Sequence, residues 1–180
     1  MTLVVADTSA LVSLGTVITH QSSPLNLLLK EHQVIIPEHV VSELKETASF
    51  EDRSGDAAEA VLDRSSEFDV RATELNEDFP LDDGENAAVT LANDLNAAQL
   101  LCDEFNRLAL IHASLTDSRL VTSPTLLTAL VRNEQLSPVE AEDLLAEMSD
   151  ARSWGTNSYV TQAKATLQLM LTASQEQDDS

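Results

Sequence analysis

The chain predicts an α/β domain built on a parallel sheet, and three observations carry that expectation. Short apolar runs alternate with segments whose apolar residues recur at helical spacing, the order of strand–helix–strand units. The 180 residues suit one domain, and a chain of this size buries enough surface to fold without a disulfide or metal staple. Hydrophobic residues make up 43% of the chain but aromatics only 3%, so the core must be assembled from Leu, Val, Ile and Ala.

In chain order, Leu3–Ala6 reads as the first buried strand and Ser9–Gly15 as the helix start that follows it. Leu25–Lys30 is a second helix. Gln33–Ile36 is a strand ended by Pro37, after which Glu38–Thr47 sets Val40, Val41 and Leu44 on one helical face. Phe50–Asp56 is expected to be a mobile connection, Ala57–Ser65 a helix and Phe68–Arg71 an edge strand. Glu85–Leu95 carries Ala88, Val89, Leu91 and Ala92 at helical spacing, with Asp83 expected to cap it. Gln99–Cys102 and Leu120–Thr122 supply further strands. Ser123-Pro124 reads as an N-cap followed by proline at the first helical position. Pro138–Met148 and 157–172 form a closing helical pair. Residues 1–173 are thus expected as one domain, and 174–180 (SQEQDDS) as a disordered acidic tail.

Charge narrows the function. Ten Lys and Arg face 31 Asp and Glu, a net charge of −21. This excludes a basic stripe for duplex DNA and a polybasic membrane anchor. The carboxylates are spread along the chain, and lysine is confined to Lys30, Lys45 and Lys164. That distribution suggests a halophile's surface, since in about 1 M salt the Debye length shrinks to roughly 3 Å and self-repulsion is screened. Cys102 is the single cysteine and reads as a small buried hydrophobe. The start MTLVVADTS lacks the layout of a signal peptide, and no apolar stretch approaches a membrane span. A cytoplasmic protein is expected.

Sites in open parallel sheets form at the carboxyl ends of strands. Asp7 follows the strand LVVA and Asp103 follows QLLC, so both are expected to project into one crevice, with Glu104 beside them. Glu43 lies three residues after Val40 on a buried helical face. Glu85 points toward the core side through Ala88 and Val89. Four carboxylates at such positions are costly together unless a cation neutralises them. A set of carboxylates without Cys or His selects hard ions such as Mg²⁺ or Mn²⁺. His20, His32, His39 and His112 are unclustered, and Trp154 and Tyr159 read as packing residues.

The runs VVADTSALVSL, IIPEHVVSELKE, LDDGENAAVTLAND and LLCDEFNRLAL resemble, in order and spacing, the PIN-domain nucleases, above all their prokaryotic toxin-like (VapC-type) branch. Asp7-Thr8-Ser9, Pro37–Leu44, Gly84–Ala92 and Asp103–Ala109 carry the likeness. A later Gly-Thr of the branch is replaced here by Ser123-Pro124. The resemblance implies a three-layer α/β/α fold around a parallel sheet of four to five strands. It further implies a Mg²⁺- or Mn²⁺-dependent endoribonuclease acting on single-stranded RNA, in many cases the toxin of a toxin–antitoxin pair. Asp7, Glu43, Glu85 and Asp103 match the acidic positions that would be catalytic and hold metal. Thr8 or Ser9 would orient Asp7, Glu104 would reach a metal-bound water, and Asn106 only approximates a further acid of other branches. Arg107 and Arg119 lie near strand ends, where they would meet phosphates or pair with carboxylates. An antitoxin protein and a second copy of the chain are the partners left open. The alternative is a PIN-like module that binds RNA or protein without cutting. A haloacid-dehalogenase-like hydrolase would need Asp-x-Asp after the first strand, where Ser9 stands instead.

Overall fold

The computed structural model describes residues 1–179, and the last residue of the expected tail, Ser180, lies outside them. Among these residues five strands form one parallel sheet: β1 (Thr2–Ala6), β2 (His32–Pro37), β3 (Asp69–Arg71), β4 (Gln99–Leu101) and β5 (Arg119–Val121). Their order is β3-β2-β1-β4-β5. The chain grows from the central β1 to one side, then crosses to the other at β4. The gap between the carboxyl ends of β1 and β4 is therefore the switch point of the sheet.

Strand residues alternate between two apolar layers, as the period-2 side-chain direction requires. Val4, Ala6, Val34, Ile36 and Leu101 face one core, while Val5, Ile35, Leu100 and Cys102 face the other. The first layer is covered by α1 (Thr8–Gly15), α2 (Pro24–Glu31), α3 (Glu38–Ala48), α4 (Arg53–Leu62), α7 (Ser123–Arg132), α8 (Pro138–Arg152) and α9 (Ser158–Asp178). The second is covered by α5 (Asp83–Asp94) and α6 (Leu108–Ser114). The result is the three-layer α/β/α sandwich that the sequence predicts. No helix of the described residues is long and apolar enough to cross a membrane.

Several boundaries differ from the sequence reading, each for a local reason. Arg53–Asp56, expected within a mobile connection, already belongs to α4, because Asp52 accepts a hydrogen bond from Gly55 N at 2.7 Å and caps the helix there. Thr122, not Ser123, caps α7, its Oγ1 accepting from Thr125 N. Asp82, not Asp83, caps α5 in a reciprocal box with Glu85. Residues 174–178 continue α9 with their side chains exposed. α8 runs on to Arg152, four residues past its expected end, and that extension reaches the site described next.

Candidate active site at the sheet switch point

Asp7 occupies the N-cap of α1, immediately beyond β1, and its backbone N–H donates to Leu101 O on β4 at 2.9 Å. The side chain is buried. Ser9 Oγ donates to Asp7 Oδ2 at 3.1 Å, and Cys102 Sγ donates to the same oxygen at 3.4 Å. Of the two hydroxyl residues expected to orient Asp7, Ser9 thus makes the bond. Cys102, read as a small buried hydrophobe, is buried, and its thiol also bonds to the acid. Burial and the Asp7 charge push the Cys102 thiol far up, which keeps it protonated and a donor.

Asp7, Glu43 and Glu85 line one cavity of about 220 Å³ together with Asp82, Glu104 and Arg152. A second hollow, of about 490 Å³, meets it at Glu43 and Asp82. Glu43 reaches the cavity from α3 by lying against the first turn of α5. A Cβ on Gly84 would fall 1.7 Å from Glu43 Oε1, so only glycine admits the carboxylate here. That same Oε1 is buried without a hydrogen-bond partner. Glu85 is also buried, but Arg107 Nε donates to its Oε2 at 2.8 Å, and Arg107 Nη2 reaches Pro80 O at 3.2 Å. Of the two roles open to Arg107, the carboxylate pairing is the one formed. Asn86 ties down the same loop, accepting from Asn76 N at 2.9 Å and donating to Asn76 O at 2.8 Å.

Asp103 stands apart from the other three acids. Its Oδ1 accepts from Ser123 N at 2.7 Å and its Oδ2 from Ser123 Oγ at 2.6 Å. Both oxygens therefore face the N-terminus of α7, where the first-turn N–H groups and the helix dipole favour a carboxylate. Through its own N–H, Asp103 donates to Ser9 Oγ at 2.9 Å, which links it to Asp7 from behind the cavity. Asp103, expected beside Asp7 in one crevice, is not among the residues lining this cavity, whereas Glu104 is. Among the described residues, no group of three or more His, Cys, Asp or Glu side chains is drawn together tightly enough to form a ready metal cage. The acids line a wall instead of closing on a point.

Electrostatics express the same crowding. Burial, opposed by hydrogen bonds from Thr8, Cys102 and Ser9, raises Asp7 to about 6. Burial and repulsion from Asp7 and Asp82 raise Glu43 to about 7. Glu104 shifts up for the same causes, burial first and then Asp7, Glu85 and Asp82. Burial also raises Asp103 against the pull of Ser123. Arg152 is the cation from the far end of the chain: burial lowers it, while Asp103, Glu104 and Asp52 hold it up. Its Nη1 donates to Ser54 Oγ at 3.0 Å, and its Nε is buried without a partner.

The sequence reading passed over Asp82 and Arg152 and gave Glu104 an outer role. Asp82 carried a signal, the spacing Asp82-x-x-Glu85 of a capping box. Arg152 carried none, since its place depends on the packing of α8 across α1 and α4. Residues 3–169 match the family model DUF3368, described as a PIN domain. No curated protein matches the chain.

Two outcomes follow from the crowding. A carboxylate whose pKa is higher folded than unfolded makes the native state bind the extra proton, so stability falls as pH rises through the interval between the two values. For Asp7 and Glu43 that interval runs from about 4 to about 7. In chelator the thermal midpoint should drop between pH 5 and pH 8, and Mn²⁺ should restore more of it at pH 8. Glu43→Gln should flatten this slope, and a wild-type slope in the variant would contradict the assignment. Gly84→Ala should push Glu43 out of the cavity without disturbing the helix, where alanine is favoured. Calorimetry should then find Mn²⁺ affinity lowered about tenfold with the apo midpoint unchanged or higher, on the scale seen when support of a metal ligand is lost. Wild-type affinity would refute the role of the glycine.

Proposed function

The chain belongs to the PIN-domain family, and on that footing we propose that it is a divalent-metal-dependent endoribonuclease hydrolysing the phosphodiesters of single-stranded RNA. The observation that carries this reading is the gathering of Asp7, Glu43, Asp82, Glu85 and Glu104 around one cavity at the switch point of the sheet. The donor chemistry fits Mg²⁺ or Mn²⁺: the set is all carboxylate, and Glu43 Oε1 is buried with no partner. Bound there, such an ion supplies Lewis-acid activation and neutralises developing negative charge. Asp7, Glu43 and Glu104 would hold it, with Asp82 beside them.

The protein's own groups do the remaining work. Ser9 and Cys102 fix the rotamer of Asp7, and Asp103 braces Ser9 through its backbone N–H. Glu43 lines the cavity and would accept the proton of an attacking water on the carboxylate oxygen that the cation does not hold. Glu85 serves from behind, tying Arg107 and the α5 cap into the cavity wall. We read the acidity as adaptation to concentrated salt, and the toxin role as the setting in which such an enzyme would act, with an antitoxin as its protein partner. A non-catalytic RNA-binding PIN module is the second reading. It is favoured by the pairing of Asp103 with Ser123, outside the cavity lining, and by that of Glu85 with Arg107, which occupies a second family acid within it.

Purified protein in about 1 M KCl, where charge repulsion is screened, should cleave labelled single-stranded RNA with Mn²⁺ and stop in chelator. Asp7→Asn and Glu43→Gln should each lower the rate by at least about a hundredfold, the order expected when several kcal/mol of metal assistance is lost. Asp103→Asn should be milder. Cleavage that persists in chelator or in Asp7→Asn would assign the activity elsewhere, and RNA binding without cleavage would select the second reading. Activity that rises on dilution to about 0.1 M KCl would contradict the salt-adapted reading.

A further inference from the structure

Aromatic residues are scarce in this chain, yet three of them meet beside the acidic cavity. Phe105 stacks on Tyr159, with ring centroids 5.4 Å apart and planes at 15°, and meets Trp154 edge-on at 5.3 Å and 73°. Phe105 directly follows Glu104, and Trp154 lies two residues beyond Arg152, so the ring cluster is joined through the chain to two residues that line the cavity, although no ring lines it. The turn between α8 and α9 places it there. Ser153 and Gly155 both take left-handed backbone angles, φ 55° and 56°, which reverse the chain and bring Trp154 and Tyr159 back toward Phe105.

Packing accounts for part of this cluster. Trp154 rests against the core on one side of the sheet and Phe105 against the core on the other. It does not account for Tyr159, which remains 39% exposed while its ring lies flat on Phe105. On its other side Tyr159 borders a hollow of about 420 Å³ with Leu108, His112, Thr122 and Thr125, none of them acidic. In a chain of net charge −21, a hollow edged by an exposed aromatic ring and lined by no carboxylate is a place where a nucleic-acid strand can come close. Arg152 lines the acidic cavity, two residues before Trp154. Its planar guanidinium suits a phosphate, and its Nε is buried with no hydrogen-bond partner.

We propose that Phe105, Trp154 and Tyr159 form a stacking platform for one base of single-stranded RNA, with Arg152 beside it to take the adjoining phosphate. The identity of the ligand rests on the nuclease reading above. Every base offers a π-face, so such a platform binds without demanding a sequence. It also favours single strands over duplexes, whose bases are already stacked on one another.

Trp154 is the only tryptophan, so its fluorescence reports on the platform directly. The full-length protein in about 1 M KCl would be titrated with an RNA hexamer and with an abasic hexamer of equal charge, and the same samples run on a gel for cleavage. The proposal expects saturable quenching by the RNA, and binding of the abasic strand weaker by about tenfold or more, as the loss of one stacked base implies. Tyr159→Leu, which keeps apolar bulk but lacks a π-face, should weaken RNA binding about tenfold. Tyr159→Phe should restore it, and Mn²⁺ affinity should be unmoved in both. Equal binding of the two strands, wild-type affinity in Tyr159→Leu, or cleavage without quenching would overturn the platform and leave the nuclease reading intact. Base-dependent quenching without cleavage would uphold the platform and remove the nuclease reading. A fluorescence change that depends on protein concentration alone would show a surface joining copies of the chain, and would overturn the proposal.

Discussion

The burial of several carboxylates along one wall at the switch point of the sheet is the constraint on which the rest of the structure depends. Asp7 is buried, and Glu43, Asp82, Glu85 and Glu104 line the same small cavity. Left alone, such a group would protonate or move apart. The surrounding residues oppose both. Ser9 and Cys102 donate to Asp7, Arg107 pairs with Glu85, and Gly84 opens the space in which Glu43 lies. Burial first, and repulsion after it, still raises Asp7 to about 6 and Glu43 to about 7.

The two arginines nearest this cavity do different things. Arg107 is spent on a buried partner: its removal would strand Glu85 as an uncompensated charge, the costly way to break an ion pair. Arg152 has no carboxylate in hydrogen-bond contact and is anchored only through Ser54. Asp103, Glu104 and Asp52 act on its charge without a hydrogen bond to it. The family match extends to residue 169, well into α9, so the elbow after Arg152 belongs to the matched domain and is no appendage to it.

Most of the fold was legible in the sequence because the strands bury both faces, and runs such as LVVA and QVII announce that directly. Asp7, Glu43 and Glu85 could be found from strand ends and helix faces, since both are local geometry. Asp103 shows where that reasoning stops. Its position after β4 was readable, but the direction of its carboxylate is set by Ser123, twenty residues on, whose N–H and hydroxyl both point at it. Capping was misplaced by one residue at α5 and α7, because neighbouring Asp82-Asp83 and Thr122-Ser123 offer equivalent side chains and only the backbone angles choose between them. Arg152 was passed over, and Trp154 and Tyr159 were read only as packing residues, for a different reason. Where these side chains lie depends on how far α8 runs before it turns, and the left-handed Ser153 that ends it has no strong local signature.

The central claim is that a divalent cation sits among Asp7, Glu43 and Glu104 and relieves their repulsion. Anomalous diffraction from crystals grown with Mn²⁺ near pH 8, where these acids are ionised, tests it most directly. The account predicts a manganese peak inside the cavity, bonded to carboxylate oxygens of Asp7 and Glu43, with Asp103 still facing Ser123. A saturating Mn²⁺ concentration that leaves the cavity without a peak, or a peak held by Asp103 after it has turned away from Ser123, would contradict it.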